Sequence, residues 1–133
     1  MTTNYGYTKS LIYPEQLLKL KEQPFEILPI DSSSAIIPHR IAIRTIIANS
    51  PYLYNHALLK IKIGGIEFGI LPSSGFLDVS QNLFVLINVN DCNPRLLSSV
   101  LGESLMLTND GEDNLSEGDS CLEFHVFYSI LEF

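Results

Sequence analysis

Residues 121–131 read CLEFHVFYSIL, with Leu122, Phe124, Val126, Tyr128 and Ile130 all apolar on one parity. A period of two sustained over this length does not suit a helix and predicts a strand with one face in a core. The other parity is Cys121, Glu123, His125, Phe127, Ser129 and Leu131, which is not the charged face that water favours. The strand is therefore expected to be central, or covered by another subunit, rather than a free edge. Its second face needs something to lie against it.

The same period runs through most of the chain. FEILPI (25–30) reads as a strand, placed at a sheet edge because Pro29 removes a ladder donor. DSSS (31–34) is a turn. In the next strand Ile37, His39, Ile41, Ile43, Thr45 and Ile47 are expected on one face, with Arg40, Ala42 and Arg44 opposite. ALLKIKI (57–63) and IEFGIL (66–71) flank Gly64-Gly65, a hairpin signal. LFVLINV (83–89) is apolar on both parities, PRLLSS (94–99) is a short strand or turn, and SLMLT (104–108) is a strand. NDGEDNLSEGD (109–119) is an acidic loop, expected to be mobile and solvated. Pro14 and Glu15 signal the start of one short helix within residues 13–23, with Leu17, Leu18 and Leu20 as its apolar stripe. Residues 1–12 show little core pattern and are expected to form an extended N-terminal arm, with residues 13–133 as a single domain. The expected fold is all-β: a β-sandwich, jelly-roll-like, with one short N-terminal helix.

Charged residues make up only 17% of the chain, against about 25% in an ordinary soluble domain. Some of the surface is thus expected not to face water. The net charge of −7 argues against nucleic acid. Charge is also polarised: residues 1–62 hold seven of the eight Lys and Arg against four acids, and residues 63–133 hold Arg95 against eleven. That polarity suits docking on a charged partner as well as it suits a solvated acidic face. No apolar run approaches a membrane span, and no secretory leader is expected. Two cysteines, Cys92 and Cys121, are too few and too far apart for a disulfide framework or a zinc site.

Chemistry-bearing patterns are sparse. Cys121, Glu123 and His125 share a strand face, but residues two apart on a strand point in parallel, so neither catalysis nor a metal site is expected. The acidic loop lacks the ligand spacing of an EF-hand. No catalytic residues and no cofactor are expected. Once each strand has filled its own core, Phe84, Leu86, His125 and Phe127 are left as subunit-interface candidates, with self-association, as a trimer, the expected result. Tyr5, Tyr7, Leu11, Ile12 and Tyr13 are the residues through which the arm is expected to grip a neighbour.

The order of short motifs adds a resemblance. A Q-L-x-x-L helix (16–20) precedes x-P-F-x-I-L-P (23–29). A small-residue turn leads to A-I-I-P-x-x-I (35–41), then Pro51-Tyr52 follows, and the chain closes on G-D-S-x-L-x-F-x-V-x-Y (118–128). This pattern resembles the small β-rich capsid cement, or head-decoration, proteins of tailed bacteriophages, whose turn is often Ala-Pro-Gly-rich where this chain has DSSS. The resemblance implies a structural, non-enzymatic virion protein made in a bacterial cytoplasm. Such a protein assembles as a homotrimer and sits on the outer capsid, bridging copies of the major capsid protein. A phage tail or receptor-binding module of similar build is the alternative.

Overall fold

The computed structural model describes residues 2–90 and 96–133. Eight strands among them pair antiparallel into two four-stranded sheets. They are β1 (Thr2–Ile12), β2 (Phe25–Leu28), β3 (Ser34–Ile46), β4 (Leu59–Ile63), β5 (Ile66–Ile70), β6 (Phe84–Asn88), β7 (Leu105–Asn109) and β8 (Cys121–Glu132), with the short helix α1 (Pro14–Leu17) between β1 and β2. The first sheet has the order β1-β8-β3-β6 and the second β2-β7-β4-β5. The pairs nest: β4 with β5, β3 with β6, β2 with β7, β1 with β8. The chain is in effect one long hairpin with its tip at Gly64-Gly65, folded so that successive pairs alternate between sheets. All-β architecture follows the period-two reading of the sequence, and β2 is the edge strand that Pro29 implies.

The terminal strand does what its alternation predicts. Leu122, Phe124 and Val126 are wholly buried and meet Ile41 and Ile43 of β3 and Ile61, Ile63, Leu105 and Leu107 of the second sheet. Each such side chain contributes about 1.5–3 kcal/mol by leaving water. β8 lies between β1 and β3, so neither of its edges is free. α1 starts at Pro14, and the Gln16 side chain reaches back to accept from the Tyr13 N–H at 3.0 Å. Leu17 and Leu20 close one end of the core.

Three expectations are corrected. Residues 2–12 are extended, but their partner is the chain's own β8, in register from Thr2↔Glu132 to Ile12↔Leu122. Ile12, expected to grip a neighbour, is fully buried in this chain's core. In β3 the register shifts between Pro38 and Arg40. Proline cannot donate to the ladder, and the bulge carries one extra residue across it, inverting the parity on its N-terminal side. Ile36 therefore faces inward, while Ile37 and His39 are exposed instead of joining Ile41 and Ile43. The acidic loop, finally, is tied down rather than loose. Asn109 Oδ1 accepts from the N–H of Leu58 and Gly111, Lys21 Nζ donates to the Gly111 carbonyl, and Leu53 bridges to Ser116. Of the segment expected as a strand or turn at 94–99, Leu97–Ser99 forms a 3-10 turn. Residues 94 and 95, like Cys92, lie outside the described residues.

Candidate functional site

The outer face of the first sheet collects the side chains that the core leaves over. Cross-strand register sets them in rows: Tyr5, Ser129 and Ile37; Tyr7, Phe127, Arg40 and Asn88; Lys9, His125, Ala42 and Leu86; Leu11, Glu123, Arg44 and Phe84. All four residues expected at a subunit interface, Phe84, Leu86, His125 and Phe127, stand on this one face. Phe84 is 74% exposed, Phe127 45% and Leu86 47%, while His125 is half-buried. Of the residues assigned to the arm, Tyr5, Tyr7 and Leu11 share the face and Tyr13 is exposed at the start of α1. Tyr7 packs against Phe127 at 5.0 Å between ring centroids, and Tyr5 stacks on His39 at 6.4 Å. Several large rings thus lie together on the broad side of a sheet, where an antiparallel sandwich ordinarily presents polar residues to water.

A chain of polar contacts crosses the middle of the face. Arg44 Nε donates to Glu123 Oε1 at 2.8 Å, His125 Nε2 lies 2.5 Å from the same oxygen, and the Tyr7 hydroxyl lies 2.5 Å from His125 Nδ1. With Glu123 ionised and the imidazole neutral, Nε2–H donates to the carboxylate and Nδ1 accepts from Tyr7. Glu123 and His125 converge, contrary to the parallel geometry expected of residues two apart. The sequence signal was their shared parity; what it lacked was Arg44 and Tyr7, from strands far away in the chain. Glu123 is 93% buried although it faces outward (7% exposed). Hydrogen bonds from Arg44 and then His125 hold its carboxyl at about 2. A carboxyl depressed in the folded state stabilises the fold above its unfolded value of about 4.3, and that contribution is lost as pH falls toward 2. Glu123→Gln is accordingly expected to flatten the acid limb of a stability-versus-pH curve between about pH 5 and 2. Chemical denaturation across that range checks it, and an unchanged limb would mean the chain of contacts is not formed.

Burial, and then the nearby carboxylates of Glu15 and Asp119, push the Cys121 thiol up, away from the thiolate a nucleophile needs. Among the described residues no group of three or more His, Cys, Asp or Glu side chains is placed to hold a metal ion. Beside the aromatic face, His39, Arg40, Asn88, Asn90 and Phe127 line a wide-open concavity of about 600 Å³. His39 Nε2 is hydrogen-bonded to Ser129 there, and Arg40 Nε donates to Asn88 Oδ1. A smaller apolar groove of about 300 Å³, lined by Ile37, Phe68, Leu97 and Phe133 among others, opens at the end of the sandwich.

The face also has a charge that no stretch of sequence announces. Its described side chains include three cations, Lys9, Arg40 and Arg44, and one carboxylate, Glu123. This local excess of +2 sits in a chain of net −7. The cations come from β1 and β3, about thirty residues apart, so pairing with β8 between them is what assembles the patch. No protein-family model matches the chain, and no curated protein matches it.

Proposed function

We propose that this chain is a structural virion protein, a capsid cement or head-decoration protein of a tailed phage, which self-associates through the outer face of its first sheet. The observation that carries the reading is the exposure of Tyr5, Tyr7, Phe84, Leu86 and Phe127 together on that face. Obligate interfaces resemble a core cut in half and are rich in aromatic residues and arginine. Two further features support it. Eight strands in two four-stranded antiparallel sheets, ordered β1-β8-β3-β6 and β2-β7-β4-β5, suit a double-sheet jelly roll, an architecture used in viral capsids as well as in lectins. The closing motif of the resemblance, Gly118 to Tyr128, leads into β8, the strand between β1 and β3 in the sheet that carries this face. The assembly is a homotrimer on the outer capsid, in contact with the major capsid protein, and the role needs no active site.

Phe127→Asp tests the reading. The side chain is half-exposed in the single chain, so the fold tolerates the change, whereas in an assembly it buries an unpaired charge. Self-association should weaken by at least about 100-fold, the equivalent of roughly 3 kcal/mol. Sedimentation equilibrium measures this, and binding to shells lacking the protein should fall in parallel. A wild-type protein that sediments as a monomer at micromolar concentration would end the proposal.

The concavity beside Arg40 favours a second reading, a tail or adhesion module that takes a polar ligand there. In that case Arg40→Ala abolishes binding to host cells.

A further inference from the structure

Resting on self-association through the first sheet, the charge on that face decides how two copies can meet. In a two-fold contact the same patch faces itself. Arg44 is matched by Glu123 within its own chain, but Lys9 and Arg40 have no carboxylate beside them among the described residues. Two such faces pressed together would enclose four uncompensated cations among aromatic rings. Each buried unpaired charge is strongly unfavourable, and like charges repel as well. The geometry that hides the rings most simply is therefore the one the charges oppose.

The rest of the molecule offers the complement. The whole chain carries −7, and removing the +2 of the face leaves −9 elsewhere. The segment joining β7 to β8 concentrates part of this excess. Asp110 is held by Lys62, and Asp119 accepts from the N–H groups of Asn49 and Ser50, whereas Glu112, Asp113 and Glu117 are exposed. The segment is already fixed to the body by Asn109, Lys21 and the Leu53–Ser116 bridge, so presenting its carboxylates to a partner costs little ordering entropy.

We infer that copies of this chain associate head to tail, the first-sheet face of one copy receiving the acidic β7–β8 segment of the next, with Lys9 and Arg40 opposite Glu112, Asp113 and Glu117. A head-to-tail contact closes into a ring when its rotation allows, and a ring is not restricted to even numbers of copies.

Three exposed-surface variants, each first confirmed as folded by a cooperative thermal melt, test this in sedimentation experiments. Lys9→Glu with Arg40→Glu reverses the face; Glu112→Lys, Asp113→Lys and Glu117→Lys reverse the segment; the third variant carries all five changes. Head-to-tail association requires each partial reversal to weaken assembly by at least about tenfold, roughly 1.4 kcal/mol. The five-change variant, complementary to itself again, should recover the wild-type oligomer. Raising salt from about 50 to 500 mM should weaken wild-type assembly, because attraction between opposite charges is screened. A two-fold contact gives the opposite results: the segment variant assembles normally, the five-change variant behaves like the face variant, and salt strengthens association. Any of these overturns the inference while leaving self-association standing. A monomeric wild type, or assembly untouched by Phe127→Asp, removes the underlying reading instead.

Discussion

Deleting residues 1–12 is expected to yield a protein that does not fold stably, rather than a sandwich that has lost an appendage. β1 pairs with β8 in register from Thr2 to Ile12, and its removal strips one whole edge from a strand that is otherwise central. The deletion also takes Ile12 out of the core, where it is fully buried, and the Ser10 hydroxyl away from the Ile27 carbonyl, a link between the two sheets. Loss of a buried isoleucine side chain alone costs about 2–5 kcal/mol, out of a total stability of about 5–15 kcal/mol for a domain. What remains would expose the unpaired edge of β8, a long strand that also carries Phe127 on its outward side, as a template for edge-to-edge aggregation. The truncated chain should partition into the insoluble fraction on expression. Any soluble part should lose its cooperative melt. A soluble, cooperatively melting truncation would show instead that residues 1–12 are dispensable for the sandwich and free to serve as an arm.

β1 lacks a strand signature in the sequence for a physical reason. Its outward positions hold Tyr5, Tyr7, Lys9 and Leu11, while the inward ones are Asn4, Gly6, Thr8 and Ser10, with Ile12 alone apolar. At Gly6 the Tyr128 ring lies over the strand, and a Cβ there would run into it. The core is filled here from β8, so β1 carries no hydrophobic alternation of its own. The other strands did carry it, because each lends large side chains to the space between the sheets. In β3 the expected parity fails on the N-terminal side of Pro38 for a related reason. A parity argument extends only as far as the register is unbroken, and a single extra residue inverts every side chain beyond it. The candidate site was legible in part. Phe84, Leu86, His125 and Phe127 could be named because they are apolar or polar residues with no place in a core. Tyr7, Arg44, Lys9 and Arg40 could not be joined to them, since cross-strand register, not chain distance, puts them side by side.

Gly118→Ala should be among the most damaging single methyl additions in the molecule. Gly118 is buried directly before β8, and a Cβ built on it falls within the ring of Tyr52. Tyr52 is itself fully buried and cannot swing aside, because its hydroxyl donates to the Ser120 carbonyl at 2.5 Å and its N–H donates to the Leu77 carbonyl. Burial pushes the phenol well above its usual ionisation range, so it stays a neutral donor. Either the ring moves and breaks that bond, or the backbone entering β8 shifts and carries the register of the central strand with it. Overpacking of this kind costs about 1–3 kcal/mol, and a broken buried hydrogen bond adds roughly 1–3 kcal/mol. The thermal midpoint should drop by on the order of 10 °C for a chain of this size. A double-mutant cycle isolates the cause: with Tyr52→Ala already in place, the alanine at position 118 should cost far less than it does alone. Additive losses would mean that Gly118 is required for something other than the room it leaves for Tyr52. The coupling ties the closing G-D-S motif to the strand it launches, whose other face carries His125 and Phe127. A shift at Gly118 should therefore weaken self-association as well as stability.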